Sequence, residues 1–325
     1  MLYNDVAETV GRTPLVRLNR VSPSVRASIL AKLEMKNPGG SSKDRIARLL
    51  IDLAEKRGLL RTSMTVIEAS SGNTGIGLSM ICALKGYDCE IVVPESTSPV
   101  RVAIMQSYGA RVILTPSELG VDGAREFVRN AVRCSPSKYY NPDQYNNPGC
   151  WLVHYESTAK EILEDAGCEI THVVAGLGTS GTLMGIAKRF REYSPNTIIV
   201  SVEPEQGSEI PGLRNMDASC VPSIFDSSLV DRREFVSTEA AWRTAALLAT
   251  REGLLCGPSS GAAAHCALRL AHEISLEENG RAVIVVVLPD SGERYLLTRV
   301  DSPTSRPIEV SHGSFGRVRC QEGLE

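Results

Sequence analysis

The chain is predicted to be an α/β protein of two domains, each an open, mostly parallel twisted sheet flanked by helices. Three observations carry this expectation. Apolar runs of strand length alternate with helix-length segments along most of the 325 residues. The runs are continuous and rich in Val and Ile, which fits strands covered on both faces. The alternation also comes in two sets, parted by Ser135 to Cys150, a stretch rich in Pro, Asn, Ser and Tyr that reads as the crossing between domains. A chain of this length can bury two sizeable cores.

In chain order, the first set reads as strand at Ser63 to Glu68, helix at Gly75 to Leu84, strand at Glu90 to Val93, helix at Pro99 to Tyr108 and strand at Arg111 to Leu114. The second set supplies strands at Thr171 to Ala175, Thr197 to Val202 and Ala282 to Leu288. Residues after about Ser302 are polar and without periodicity, so a tail over 304–325 is expected to be loosely ordered. Ligands of open parallel sheets sit at the carboxyl ends of strands. The turns that follow these strands are therefore the places to look for chemistry.

Charge excludes some classes of function. A net charge of -3 with scattered Lys and Arg lacks the concentrated basic patch of a nucleic-acid or membrane-surface protein. Met1 to Asp5 do not open a signal peptide, and no apolar run spans a bilayer, so a cytoplasmic protein is expected. The nine cysteines are odd in number, widely spaced and without a Cys-x-x-Cys pair, unlike a disulfide framework or a zinc site. They read as small buried apolar residues, as in Ile81-Cys82-Ala83 and His265-Cys266-Ala267. Five scattered histidines show no ligand spacing, so no metal is expected.

The segment Asn37-Pro38-Gly39-Gly40-Ser41-Ser42-Lys43-Asp44-Arg45 places one lysine after a glycine-rich turn and before the amphipathic stretch Ile46 to Ala54. At a helix N-terminus the dipole disfavours an ammonium. That lowers the lysine pKa and favours the neutral amine that imine chemistry requires. Lys43 is thus the candidate for a covalent bond to a cofactor, the plain alternative being an ordinary loop with a solvated lysine.

Three further loops follow strands or open helices. Gly176-Leu177-Gly178-Thr179-Ser180-Gly181 fits the G-x-G-x-x-G dinucleotide pattern, with Glu203 at the end of the next strand. A nicotinamide dehydrogenase is the rival reading it raises. The turn itself says only that backbone N–H groups, the Thr179, Ser180 and Thr182 hydroxyls and a helix N-terminus can hold a phosphate dianion. Its place past the chain's midpoint weighs against a dinucleotide. So does a second loop, Ala69-Ser70-Ser71-Gly72-Asn73-Thr74-Gly75, whose Ser70, Ser71 and Thr74 offer donors for a small carboxylate and whose Asn73 offers an amide for an aromatic hydroxyl. A bare helix cap is the simpler account of that loop. The third loop, Cys256-Gly257-Pro258-Ser259-Ser260-Gly261, precedes an alanine-rich helix, and three such loops in one chain make coincidental caps a poor explanation.

Together these segments resemble the cysteine synthase and cystathionine β-synthase family, enzymes of the tryptophan-synthase-like fold type that use pyridoxal 5′-phosphate (PLP). The resemblance runs from Val10-Gly11-Arg12-Thr13-Pro14-Leu15-Val16 to Leu288-Pro289-Asp290-Ser291-Gly292-Glu293-Arg294-Tyr295-Leu296, with the motifs in the family's order. It implies that Lys43 forms the internal aldimine and that Asn73 bonds the ring hydroxyl. Gly178, Thr179, Ser180, Gly181 and Thr182 would hold the phosphate, and Ser259 would face the pyridine nitrogen. Ser70, Ser71, Gly72, Thr74 and Gln144 would bind the substrate α-carboxylate. It also implies a smaller domain over 40–148, a larger one from 1–39 plus 149–303, and a homodimer. A neutral serine at the ring nitrogen does not keep the pyridinium protonated. That favours β-elimination to an α-aminoacrylate over a long-lived carbanion, with Lys43 as the base that takes the α-proton.

Gly212-Leu213-Arg214-Asn215-Met216-Asp217 resembles the stretch of the cysteine synthases that accept O-phosphoserine, whose arginine meets the phosphate. A planar guanidinium suits a phosphate leaving group, so Arg214 is the donor-specificity candidate; the plain alternative is a surface arginine. The expected reaction is formation of L-cysteine from O-phospho-L-serine, or O-acetyl-L-serine, and sulfide. Asn37-Pro38-Gly39-Gly40-Ser41 is closer to cystathionine β-synthases and 2,3-diaminopropionate synthases. Homocysteine, an amino-acid amine and a sulfur-carrier protein's thiocarboxylate therefore stay open as nucleophiles, and a non-catalytic partner subunit stays open as a third class.

Overall fold

The computed structural model describes residues 2–22, 26–218, 221–277 and 281–296; the tail over 304–325 lies outside them. Among the described residues the strands form two sheets. The first is built from β1 (Leu15–Arg17), β2 (Ala27–Leu33), β7 (His172–Gly176), β8 (Ile198–Pro204), β9 (Arg232–Val236) and β10 (Ala282–Leu288), in the order β1-β2-β10-β7-β8-β9. Only β1 runs antiparallel to its neighbour. The second sheet, β5-β4-β3-β6, takes β3 (Thr65–Ala69), β4 (Asp88–Pro94), β5 (Arg111–Thr115) and β6 (Tyr139–Tyr140), all parallel.

Successive residues of a strand face opposite sides, and here both sides are covered. Ile284, Val286 and Leu288 of β10 pack into one core with α8 (Thr238–Glu252) and α9 (Pro258–Leu276). Val285 and Val287 pack into another with α6 (Ala159–Ala166) and α7 (Gly181–Tyr193). In the smaller sheet Val66 faces α1 (Lys43–Lys56), α2 (Asn73–Lys85) and α3 (Pro99–Ser107), while Ile67 and Ala69 face α4 (Gly120–Cys134). Two-sided burial explains the unbroken apolar runs in the sequence. Ala7 also packs into the core under the smaller sheet.

The segment 135–150 does more than cross between the sheets. Its Tyr139–Tyr140 add an edge strand against Thr65–Val66. Beyond it, α5 (Gly149–Val153) runs into a π-helical turn, His154–Thr158, and then into α6. The chain places the starts of four helices, α1, α2, α7 and α9, around one cavity. No described helix is long and apolar enough to cross a membrane.

Candidate active site

A cavity of about 230 Å³ opens where β3, β7 and β10 end. Thirteen of the fourteen residues singled out from sequence line it, namely Lys43, Ser70, Ser71, Gly72, Asn73, Thr74, Gln144, Gly178, Thr179, Ser180, Thr182, Arg214 and Ser259. Gly181 stands just behind the wall, its backbone against Cys150, where a Cβ would come to 2.7 Å from the carbonyl oxygen. Four helix N-termini facing one space give it a positive bias that suits an anion.

Lys43 is the first residue of α1. Its half-buried amine lies 3.4 Å from Ser42 Oγ. Burial holds its pKa below the ordinary lysine value, with Asp290 opposing the shift. The start of α1 is fixed to the end of β10, because Ser42 N–H donates to Pro289 O at 2.9 Å and Ser41 bridges to Asp290. The next turn is anchored by Arg45, whose Nε donates to Glu34 Oε2 at 2.7 Å and whose Nη1 reaches Glu161 Oε1 at 2.6 Å.

The loop after β3 is folded on itself. Ser70 Oγ accepts from Gly75 N–H at 3.1 Å, and Thr74 Oγ1 donates to Gln144 Oε1 at 2.5 Å. Asn73 donates from Nδ2 to Asp290 Oδ2 at 2.8 Å and accepts from Arg294 Nη1 at Oδ1. Its amide is thereby oriented, with one Nδ2 hydrogen left over. Tyr295 OH donates to the same Asp290 oxygen at 2.5 Å. The other, Asp290 Oδ1, is buried and has no partner among the described residues.

The turn between β7 and α7 is a backbone cradle. A Cβ on Gly178 would collide with Gly212 O, so only glycine lets the two backbones approach this closely. Ser180 sits at φ 63°, a conformation that is strained for a side chain other than glycine and is held by the surrounding structure. Thr182 Oγ1 lies 3.2 Å from His154 Nε2. Across the cavity, Arg214 Nη2 donates to Tyr145 OH at 2.8 Å and stacks 4.8 Å from that ring's centre, with Arg125 4.6 Å from the same centre.

These residues fit pyridoxal phosphate. The glycine cradle with its hydroxyls suits a phosphate dianion, the depressed Lys43 amine suits an aldehyde, and the oriented Asn73 amide suits a polar group on a ring. Sequence reasoning missed Arg101, Tyr145, Asp290 and Tyr295 as parts of the wall. Asp290 was within reach of it, because Pro289-Asp290-Ser291-Gly292 follows a strand just as the other loops do. His154, beneath Thr182, carried no signal beyond being a lone histidine.

The model of the family described as "Pyridoxal-phosphate dependent enzyme" matches residues 6–290. Cysteine synthase B of Escherichia coli (strain K12) is 43% identical over 293 residues, which are 90% of this chain and 94% of that protein. Cystathionine beta-synthase of Apis mellifera is 37% identical over 90% of this chain and 60% of its own length. The crystal structure of cysteine synthase from Entamoeba histolytica superposes with a TM-score of 0.87 at 36% identity, covering 94% of this chain and 93% of that one.

Proposed function

The chain belongs to the pyridoxal-phosphate dependent enzymes, in the group of the cysteine synthases and cystathionine β-synthases, and from that premise we propose that it forms L-cysteine from O-phospho-L-serine and sulfide. Membership sets aside the nicotinamide reading of the turn at Gly176. Bound PLP supplies an electron sink for bonds broken at the substrate's α-carbon. Lys43 would anchor it and would serve as the base for the substrate's α-proton. Gly178, Thr179, Ser180, Gly181 and Thr182 hold the phosphate, Asn73 bonds the ring hydroxyl and Ser259 faces the ring nitrogen. Ser70, Ser71, Gly72, Thr74 and Gln144 take the α-carboxylate of the substrate. Residues 40–148 act as one domain, onto whose core Ala7 also packs, and 1–39 with 149–303 as the other, so that the substrate-carboxylate loop and the phosphate loop belong to different domains.

The observation that carries the donor assignment is Arg214 in the cavity wall, its guanidinium steadied by Tyr145 OH and ring. A cation fixed there stabilises the dianion of a departing phosphate and does less for acetate. The test is kcat/KM of Arg214→Ala with both donors. A fall of tenfold or more, on the order of one charged hydrogen bond, is expected with O-phosphoserine and a small one with O-acetylserine; equal losses contradict the assignment. A second reading, addition of homocysteine, is supported by the likeness to the Apis mellifera cystathionine beta-synthase, and addition of an amino-acid amine by the resemblance of Asn37-Pro38-Gly39-Gly40-Ser41 to 2,3-diaminopropionate synthases. Supplying each nucleophile in turn to enzyme and donor separates the two.

A further inference from the structure

Building on the phosphate site proposed above, we propose that His154 is a positioning residue that keeps its proton on Nε2 and thereby turns the Thr182 hydroxyl outward, as a donor to the bound phosphate.

His154 opens the π-helical turn between α5 and α6 and is fully buried. Its two ring nitrogens each face one hydroxyl, with Nδ1 2.9 Å from Thr158 Oγ1 and Nε2 3.2 Å from Thr182 Oγ1. Thr182 lies in the first turn of α7 and lines the cavity. Single π turns within helices recur at functional positions. Small residues bring α7 down onto this one. A Cβ on Gly185 would lie 2.7 Å from His154 Cβ and collide with Trp151 O, as one on Gly181 would press on Cys150 O. The backbone contact sets the imidazole directly beneath the phosphate turn.

Burial pushes the imidazole pKa down to about 3, so the ring is neutral and one nitrogen donates while the other accepts. With the proton on Nδ1, that nitrogen donates to Thr158 and Nε2 takes the Thr182 hydrogen. The cavity then meets only a Thr182 lone pair, which repels an anion. With the proton on Nε2, Thr182 Oγ1 accepts from the ring and its own hydrogen is free for the cavity, while Thr158 donates to Nδ1. A phosphate dianion only accepts, so it binds the second arrangement better and shifts the population toward it. Hydroxyl, imidazole and hydroxyl thus form a single directed chain from Thr158, the last residue of the π turn, to the phosphate.

The test uses full-length protein with 15N-labelled histidine, apo, with inorganic phosphate and loaded with PLP. Nitrogen shifts should report His154 protonated on Nε2 in both bound forms; protonation on Nδ1 overturns the proposal. In parallel, apo-protein is titrated with PLP and with pyridoxal, which lacks the phosphate. His154→Leu should weaken PLP by about tenfold or more and leave pyridoxal nearly unchanged, and His154→Gln, whose amide still donates toward Thr182, should recover most of the loss. Equal weakening of both aldehydes, or of neither, overturns it. If wild-type protein takes up inorganic phosphate on the Nε2–H form but not PLP, the functional reading fails and this inference stands; binding of neither defeats both.

Discussion

Lys43 and Gly178 show how single residues define this site. Lys43 is held where its charge is disfavoured, half-buried at the first residue of α1 and facing a cavity ringed by helix starts. Its place between a glycine turn and an amphipathic stretch made it legible in the sequence, because a helix N-terminus alone disfavours an ammonium. Gly178 was legible as part of a glycine-rich turn after a strand, but its reason lies in a residue 34 positions away, Gly212, whose carbonyl fills the space a Cβ would take. Gly178→Ala must therefore open the cradle. We expect a loss of about 1–3 kcal/mol in stability from the overpacking together with weaker PLP uptake. Urea unfolding and PLP titration check this, and unchanged values in both would show that the cradle tolerates a side chain.

At the scale of elements, α1 is positioned by charge as much as by apolar packing. Arg45 joins Glu34 on the segment before the helix, both fully buried, to the partly buried Glu161 on α6, and Lys32 on β2 adds a 2.8 Å bond to Glu161. Removing one partner of such a network strands the others. Arg45→Met is expected to destabilise the protein by about 3–5 kcal/mol, read from denaturant midpoints, and a change below about 1 kcal/mol would mean that the network relaxes into water. In β3, Glu68 is buried and its pKa is raised to about 8, first by burial and then by Asp143. The folded chain thus keeps a proton that the unfolded chain releases above 4.5, so Glu68 lowers stability progressively as pH rises from 4.5 to 8. Glu68→Gln should gain stability relative to wild type across that window, measured by urea unfolding at several pH values; a constant difference would contradict the assignment. The same chemistry explains what the sequence concealed. β2 carries the fully buried Lys32 and β9 the charged run Arg232-Arg233-Glu234, so neither presents an apolar signal like that of β10 or of Val173-Val174-Ala175 in β7 and Ile198-Ile199-Val200 in β8. β6 is two residues long and is a strand only because β3 lies beside it.

Over the whole molecule, the cavity assembles residues from position 43 to position 295 at the ends of three strands from two sheets. The rule that ligands gather at the carboxyl ends of parallel strands makes most of this visible in the sequence, because each loop carries small and hydroxyl residues. Arg101, Tyr145 and Tyr295 were not visible, since each reaches the wall through tertiary contacts: Arg101 stacks 4.9 Å from the Tyr295 ring centre, and Tyr145 lies between two guanidiniums. The proposed function requires this convergence to hold one PLP through Lys43. Borohydride reduction of the PLP-loaded protein, followed by digestion and mass spectrometry, tests it most directly. A single pyridoxyl-phosphate adduct on Lys43, with loss of the absorbance band at the visible edge, is expected; an unmodified Lys43, or an adduct carried by another lysine, would overturn the assignment.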